Sequence, residues 1–447
     1  MGKKSTRFLS VGILALTAVS ILACTPKPTS EVEKVIAEAQ KMDRADLYKK
    51  ALEEISGKTM NGVGNSSRGR TAQEHFLNYL RGKSHDAATD SYVVDPEIRA
   101  EFPHYKEDLV ATINWTQPKN NQIFAQIAND TRSANPQLSM TLIQDGSQIQ
   151  SKMLDTGLLL NYIPKEWNGN VEENGKPFAL QSLNKVFMYN IHNTEKRFTN
   201  MWDFVAEGER PMFMGLQSEP VGHNALLMMT RVDYSDVIKE AFDALPAGAA
   251  KTRIQTEVTA LTTEATSLGL THASAPYALA WIKLWVNQFE QVTDDGPIMT
   301  DLAKNSASGQ SALIVYSKLR SVGETAESSK LNVSVAAYED GYVGLGGYMY
   351  KHYLQVLKTS PMPWVSVAFI HYMTTTMNGF SAWGRDIGGY SSDPAITPDH
   401  SRDGYVGDVN TYPVLNDLGY DWWTKNEAGK GRLVIEDPVY ASSVSFT

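Results

Sequence analysis

Segments with a helical pattern alternate with short apolar segments along the body of this chain, and this alternation constrains the fold more than any other feature. Residues 43–57 and 71–82 have the pattern of helices that end at glycines, and residues 120–133 have that of a third helix. Other stretches suit short strands: KTMNGVG, QLSMTLIQDG, KVFMYN and ALLMMTRV. Strands that alternate with helices predict an α/β fold, with parallel sheets covered by helices on both faces.

The first 23 residues have the parts of a secretory signal, because three basic residues precede an almost wholly apolar run that ends in a small residue. This run is shorter than the roughly 20 residues that a membrane-spanning helix needs. Cys24, the only cysteine, follows Ile21-Leu22-Ala23, which resembles the lipobox of bacterial lipoproteins. We therefore expect a lipidated Cys24 that anchors the protein to a cell membrane on its extracytoplasmic side. The alternative is a free thiol in an uncleaved anchor.

The body of the chain is acidic and has the length of two domains, or of two lobes of one domain. Removing the first 23 residues takes away three positive charges, so the formal net charge falls from −9 to −12. Such a charge argues against nucleic acid as a partner. No second apolar run of about 18 residues follows the signal, so we expect no membrane span in the body.

The sequence lacks the motifs that mark common catalytic and metal sites. Its nine histidines form neither H-x-H nor H-E-x-x-H, so no zinc site is predicted. An S-x-x-K match at residues 182–185 lacks its usual partner motifs, and no G-x-S-x-G elbow occurs. We therefore predict neither an enzyme nor a cofactor. Four aspartates in a Gly- and Pro-rich tail suit a solvated loop, or alternatively a calcium site: Asp386, Asp393, Asp399 and Asp403.

Several stretches, taken in order, carry a resemblance to a known family. They are the lipoprotein signal, a strand-turn-helix with Gly-Asn-Ser-Ser-Arg-Gly, IQDGSQIQSKMLDTGLLLNYIP, PFALQSLNKVFMYN, SASGQSALIVYSKLR and SPMPWVSVAFIHYMTT. The chain resembles the extracellular solute-binding proteins of ABC importers with the type II periplasmic-binding fold, and is closest to the branch that includes ferric-ion and sugar-phosphate binders. The resemblance spans most of residues 45–385. It implies two α/β lobes joined by a hinge of two crossing strands, with the ligand in the cleft between them.

The resemblance also implies how the chain is divided. The expected units are a signal peptide at 1–23, a lipidated tether at 24–44, the first part of lobe 1 at 45–185, lobe 2 at 186–320, and the second part of lobe 1 with a C-terminal extension at 321–447. The first crossing between lobes is expected near Val186–Asn190, and the return near Leu313–Arg320.

The turn after the first strand lies at the cleft by this resemblance, which makes Asn65, Ser66, Ser67 and Arg68 candidate ligand-binding residues. Ligands of open α/β sheets sit at the carboxyl ends of strands, and the N-terminus of the next helix suits an anion. Glycines let the backbone come close, serines add donors, and an arginine offers a planar fork. The alternative is an ordinary turn with a serine cap.

Asp130 and Asp145 are further candidates. The resemblance places an acidic residue and a glycine near the cleft after the short buried strand, which Asp145 and Gly146 match. A carboxylate there can accept from a ligand hydroxyl or amine. An Asp-Gly turn that caps the next helix explains Asp145 equally without a ligand.

Tyr316 and Ser317 follow an apolar strand where the resemblance places ligand contacts. Ferric-ion binders carry adjacent tyrosines at this point, because phenolate oxygens suit a hard trivalent cation. The Tyr-Ser pair departs from that pattern, which favours an organic ligand. The alternative is a core tyrosine with a satisfied hydroxyl. Tyr342 belongs to a tract of tyrosines and glycines at residues 338–350, which suits a loop that lines the cleft or one that packs on a lobe.

We therefore expect a membrane-anchored, monomeric solute-binding component of an ABC transporter. It would capture a small anionic or sugar-like solute between two lobes and deliver it to a permease. Binding is coupled to closure only if the solute contacts both lobes, for which Arg68 and Tyr316 are candidates. The alternatives are a surface lipoprotein hydrolase that acts on carbohydrate through paired carboxylates, and a lipoprotein that binds partner proteins.

Overall fold

The computed structural model describes most of the chain between Ser30 and Ile396, namely residues 30–86, 88–144, 146–216, 220–316, 318, 332–338, 341–384, 390–396 and 433–434. The expected signal peptide, Cys24, Asp145, Ser317 and most of the aspartate-rich tail lie outside these ranges. Within them, no helix is both long enough and apolar enough to span a membrane.

Helices and strands alternate along the chain, as the sequence predicts. The strands are β1 Thr59–Gly64, β2 Lys83–Asp86, β3 Ser91–Val94, β4 Thr112–Thr116, β5 Leu138–Ile143, β6 Leu159–Leu160, β7 Ala179–Asn190, β8 Met212–Met214, β9 Glu290–Val292, β10 Ser311–Val315, β11 Val333–Val335, β12 Gly347–Leu357, β13 Tyr390–Ser391 and β14 Leu433–Val434. The helices are α1 Glu31–Ala39, α2 Arg44–Ile55, α3 Arg68–Leu80, α4 Pro96–Glu101, α5 Asn120–Thr131, α6 Gly146–Gln148, α7 Val171–Asn174, α8 Pro220–Met228, α9 Val232–Asp243, α10 Ala249–Ala260, α11 Thr262–Ser267, α12 Ala275–Gln288, α13 Asp295–Leu302, α14 Pro363–Thr375 and α15 Met377–Gly384. Helix α6 continues as a π-helix at Ile149–Leu154. Three short 3₁₀ segments are also described, at Met201–Val205, Asn305–Ala307 and Ala336–Tyr338.

Local signals fix the starts of several helices. Ser30 accepts a hydrogen bond from the backbone of Glu33 while the Glu33 carboxylate accepts from the backbone of Ser30, which forms a capping box for α1. The Asp95 carboxylate caps α4 by accepting from the backbones of Glu97 and Ile98, and Pro96 occupies the first helical position, where its missing N–H costs nothing. Sequence and local hydrogen bonding therefore agree at these ends.

One large sheet organises the molecule, in the order β4-β1-β5-β12-β7-β10-β8-β9. Strands β4, β1 and β5 pair in parallel, and so do β10, β8 and β9. The long strands β12 and β7 lie between these two sets and pair antiparallel with each other and with their neighbours. The result is two α/β lobes joined by two crossing strands, which confirms the expected fold class.

The carboxyl ends of the two parallel sets meet at the middle of the crossing strands. In lobe 1, β5 ends at Ile143, opposite Tyr353, and Tyr353 in turn pairs with Ala179 of β7. In lobe 2, β10 ends at Val315, opposite Lys185. Both sets therefore point toward the stretch of β7 between Ala179 and Lys185, and ligands of open α/β sheets bind at such carboxyl ends of strands.

Each lobe has a hydrophobic core on both faces of its sheet. Along β12, Tyr348 and Tyr350 join one lobe 2 core while Met349 joins the other. Further along the strand, Leu354 and Val356 join one lobe 1 core while Tyr353 and Leu357 join the second. Because side chains alternate along a strand, a strand buried on both faces reads as the near-continuous apolar run seen in KVFMYN.

Three details differ from the sequence-based expectations. The chain returns to lobe 1 through β12 rather than near Leu313–Arg320, because β10 pairs only within lobe 2 and with β7. ALLMMTRV was expected to be a strand, but it forms the end of α8 and the start of α9, since a short apolar run does not distinguish a buried helix from a strand. The tract at residues 338–350 becomes strand from Gly347 onward.

Candidate functional site

A cavity of about 130 Å³ lies where the two sets of parallel strands point at each other. This volume has room for several waters or one small solute. Its lining comes from lobe 1, from both crossing strands and from lobe 2: Asn65, Lys119, Gln144, Lys185, Phe213, Met214, Val221, Gly222, Asp294, Asp295, Tyr348 and Tyr350. We refer to it below as the interlobe cavity.

Lobe 1 contributes residues that follow its parallel strands. Asn65 comes directly after β1, Lys119 lies between β4 and α5, and Gln144 comes directly after β5. Because the carboxyl ends of parallel strands meet at one edge of a sheet, these three polar side chains share one wall of the cavity.

Lobe 2 contributes the opposite wall in the same manner. Phe213 and Met214 belong to β8, and Asp294 and Asp295 come shortly after β9. Gly222, in the first turn of α8, packs so closely on the Phe213 ring that a Cβ added there would lie 2.8 Å from it. This wall is therefore partly apolar and partly acidic.

Among the described helices, four have a residue of the interlobe cavity at or just before the N-terminus. Asn65 lies three positions before the start of α3, and Lys119 is the N-cap residue of α5 without a side-chain capping bond. Val221 lies in the first turn of α8, and the Asp294 carboxylate caps α13 by accepting from the backbone of Gly296. A helix N-terminus carries unpaired N–H groups and a partial positive charge. Because Asp294 already occupies the N-terminus of α13, the N-termini of α3, α5 and α8 are the ones that favour a polar solute with at least one oxyanion or other acceptor group.

A buried ion pair crosses the floor of the cavity. Lys185 Nζ lies 2.9 and 3.0 Å from the two carboxylate oxygens of Asp295 and 2.9 Å from Met214 Sδ. Only 7% of the Lys185 side chain and 11% of that of Asp295 are exposed. The Phe213 ring lies 5.6 Å from the ammonium group. The pair connects a crossing strand to lobe 2 and leaves this part of the cavity without net charge.

The buried His352 contacts the side chain of Gln144 without lining the cavity itself. His352 Nε2 lies 2.8 Å from Gln144 Nε2, and His352 Nδ1 lies 3.0 Å from Gln181 Nε2. Burial, and to a lesser extent the charge of Arg68, lowers the pKa of His352 to about 3. The imidazole is therefore neutral at physiological pH, and its two nitrogens have different hydrogen-bonding roles.

The structure brings part of the predicted turn to the cavity. Asn65 lines it, whereas Ser67 is exposed and makes no capping hydrogen bond. The Ser66 hydroxyl accepts from the Arg68 backbone at 3.4 Å, and the Arg68 guanidinium donates to the carbonyl of Trp383 at 2.7 Å. None of the three is among the lining residues described, so their expected ligand role stays a prediction.

The glycines of this turn serve packing. A Cβ added to Gly62, Gly64 or Gly69 would collide with the indole of Trp115, a residue of β4. The absent side chains let α3 and β1 close onto a buried tryptophan, of which 4% is exposed. The glycine-rich stretch is therefore explained by its contact with Trp115.

Of the other predicted residues, the structure describes Asp130, Tyr316 and Tyr342, and none of these three lines the cavity. Asp130 accepts from the backbones of Gln137 and Leu138, at the amino end of β5 and so at the opposite end from Gln144. Tyr316 is fully buried in a lobe 2 core, and its expected ligand role stays a prediction. The Tyr342 hydroxyl donates to the Leu345 carbonyl at 2.8 Å, and burial raises its pKa well above the usual value.

Sequence reasoning missed most of the charged lining. A lysine at the start of KVFMYN gives Lys185, and an Asp-Asp-Gly-Pro sequence ahead of an apolar run gives Asp294 and Asp295. That second pattern is a recognisable helix start. Asp393, expected in a solvated loop or alternatively in a calcium site, is buried and accepts from the backbones of Asn168 and Ala395. Of the residues described, none form a cluster of three or more His, Cys, Asp or Glu suited to a metal.

No protein-family model matches the chain, and no curated protein matches it. Solved structures with a similar arrangement include iron-bound HitA from Pseudomonas aeruginosa, at 13% identity and a TM-score of 0.48, covering 81% of this chain and 99% of the other. The substrate-binding protein of an ABC transporter from Agrobacterium tumefaciens has 11% identity and a TM-score of 0.44, covering 80% and 84%. The sulfate-binding protein SubI from Mycobacterium tuberculosis has 11% and 0.45, covering 85% and 95%.

Identities of 11–13% and TM-scores below 0.5 do not identify a ligand. The proposals below therefore rest on the geometry of this chain.

Proposed function

We propose that this protein is the solute-binding component of an ABC transporter and holds a small polar solute in the interlobe cavity. The observation that carries the proposal is that both lobes line the same cavity. Asn65, Lys119 and Gln144 come from lobe 1, and Phe213 and Asp295 come from lobe 2. A solute that contacts both walls stabilises the closed arrangement of the lobes more than the open one.

The lining also limits the chemistry of the solute. The N-termini of α3, α5 and α8, together with Lys119, favour an acceptor group such as a carboxylate, phosphate or sulfate. Phe213, Tyr348 and Tyr350 add apolar faces that suit the body of an organic molecule or a sugar ring. A compact organic anion fits both sets of residues.

The rest of the proposal concerns location and partners. A lipid on Cys24 would hold the protein at the extracytoplasmic face of a membrane, next to a permease that receives the solute. The acidic body agrees with a small-molecule partner rather than nucleic acid. Radiolabelled palmitate incorporation that is lost in Cys24→Ala would support the anchor, and labelling that persists in this variant would contradict it.

Native mass spectrometry of the full chain, purified in mild detergent, tests the solute site. We expect a bound small molecule in the wild-type protein and a smaller bound fraction in Lys119→Ala, which removes one charge from the cavity. Lys152→Ala is a matched control, because this exposed lysine of lobe 1 bonds Gln148 away from the lining. Equal bound fractions in the two variants would contradict the site.

X-ray scattering tests closure. Adding the molecule identified by mass spectrometry to stripped protein should lower the radius of gyration, because the lobes close around it. A radius that does not change while the molecule is bound would contradict a two-lobed receptor and favour a rigid site.

A further inference from the structure

His352 lies between two glutamine side chains that cannot both donate to it. The Nε2 atoms of Gln144 and Gln181 face His352 Nε2 and Nδ1, at 2.8 and 3.0 Å. A neutral imidazole has one N–H donor and one bare acceptor nitrogen. Since each glutamine amide has an oxygen and a nitrogen of similar size, hydrogen bonding decides which atom faces the ring. One of the two glutamines must therefore present its oxygen to His352.

Burial shows which glutamine that is. Gln181 is fully buried, and its Oε1 has no hydrogen-bond partner. If Gln181 turned its oxygen to the ring, its NH₂ group, with two donors, would take the buried position of Oε1, where the structure describes no hydrogen bond. Buried donors without partners are rarer in proteins than under-satisfied carbonyl oxygens. Gln181 therefore donates to Nδ1, and the proton of His352 lies on Nε2.

We infer that Gln144 accepts this Nε2–H bond through its oxygen and so turns its side-chain NH₂ group into the interlobe cavity. Gln181 and His352 are then positioning residues, because they fix the polarity of a cavity residue without lining the cavity themselves. The low pKa of His352 keeps the arrangement in one charge state.

This orientation of Gln144 specifies which chemical group of the solute meets lobe 1, and that consequence rests on the proposed function. With Gln144 as a donor, the lobe 1 wall combines an NH₂ group, the ammonium group of Lys119 and two helix starts, α3 and α5. Such a wall recognises an acceptor, so the end of the solute that meets lobe 1 is an oxyanion such as a carboxylate or a phosphate. A solute with an amine at that end would be rejected, because two donor groups would face each other.

The tautomer of His352 is the direct test. In the full chain labelled with ¹⁵N-histidine, long-range ¹H–¹⁵N spectra distinguish a protonated ring nitrogen from a bare one, and His352→Asn identifies the signals by their loss. We expect protonated Nε2 and bare Nδ1 at neutral pH without any added solute. Protonated Nδ1 with bare Nε2, or two protonated nitrogens, would overturn the inference.

A second variant tests the orientation of Gln144 itself. In Gln144→Glu, a carboxylate oxygen still accepts from Nε2–H, so the His352 signals should keep the wild-type pattern. If Gln144 instead donated its NH₂ group, the same variant would force a proton onto Nε2 and change the pattern. Gln122→Glu, at an exposed position of α5, controls for the added charge. Both sets of histidine spectra use protein without solute. A wrong tautomer would therefore contradict this inference alone, whereas absence of a bound solute would contradict the proposed function alone.

Discussion

The Lys185 ammonium group binds both carboxylate oxygens of Asp295, at 2.9 and 3.0 Å, and so connects the first crossing strand to the start of α13. The two residues are 110 positions apart in the sequence, and both side chains are nearly excluded from water. Taking two charges out of water is costly, so such a pair is stable only while both members are present.

Asp295→Asn should therefore lower the free energy of unfolding by roughly 3–5 kcal/mol, because it leaves the buried ammonium group without its counterion. Urea unfolding followed by tryptophan fluorescence measures this. Asp301→Asn is the control on the same helix, since it removes an exposed pair with Lys304 that contributes at most about 1 kcal/mol. Similar losses of unfolding free energy in the two variants would show that burial of the Lys185–Asp295 pair does not increase its contribution to stability.

Gly69→Ala should destabilise lobe 1 by about 1–3 kcal/mol, since its Cβ would collide with the Trp115 ring in a packed core. Differential scanning calorimetry measures the change in melting temperature. Gly296→Ala is the matched control, because no atom lies within 4 Å of a Cβ added at that helical position. Combining Gly69→Ala with Trp115→Phe should restore part of the loss, whereas no recovery would point to a cause other than this contact.

Glu54 should make stability fall as the pH rises from about 4.5 to about 7. Its carboxyl group accepts from the Val365 backbone at the start of α14, and burial raises its pKa from 4.5 to about 7. Because the folded state binds the proton more tightly than the unfolded state in this window, deprotonation with rising pH removes stability. Glu54→Gln stays neutral and should remove that slope, as measured by urea unfolding at several pH values.

The adjacent Glu53→Gln controls for the Glu54 experiment. Glu53 is exposed on the same helix, so its variant should keep the wild-type pH dependence. A slope that persists in Glu54→Gln, or one that disappears in Glu53→Gln, would contradict the assignment to Glu54.

Gly222→Ala should reduce the solute content of the purified protein. Its Cβ would lie 2.8 Å from the Phe213 ring, which lines the interlobe cavity and must then move. Native mass spectrometry gives the bound fraction for this variant and for Gly248→Ala, a glycine outside the cavity lining with no atom within 4 Å of an added Cβ. Unchanged solute content in Gly222→Ala would show that Phe213 does not shape the binding space.

Local patterns were enough to predict much of the fold. QLSMTLI forms β5, residues 43–57 contain α2, and residues 120–133 contain α5, because periodicity and helix-end residues act within a few positions. ALLMMTRV shows where this reasoning stops: Ala225 to Met228 are buried all round the helix, so no polar face reveals its period.

The site was predictable only in outline. Asn65 follows from the rule that ligands meet the carboxyl ends of strands, and the structure places it in the lining. Lys185 and Asp295 depend on a contact between distant segments, which no local pattern encodes. The glycines near Asn65 suggested a ligand, but a buried tryptophan from another strand explains them, because close packing and ligand approach make the same demand on the backbone.

The position of β12 has a consequence for the order in which the chain assembles. This strand lies between β5 and β7 in the sheet, yet it follows β7 by more than 150 residues in the sequence. As the chain emerges from its amino end, the parallel strands of lobe 2, β8, β9 and β10, are available before lobe 1 receives β12. We therefore expect β5 to keep an unpaired sheet edge until β12 has been synthesised. At this stage the protein is most exposed to misassembly and to binding by chaperones.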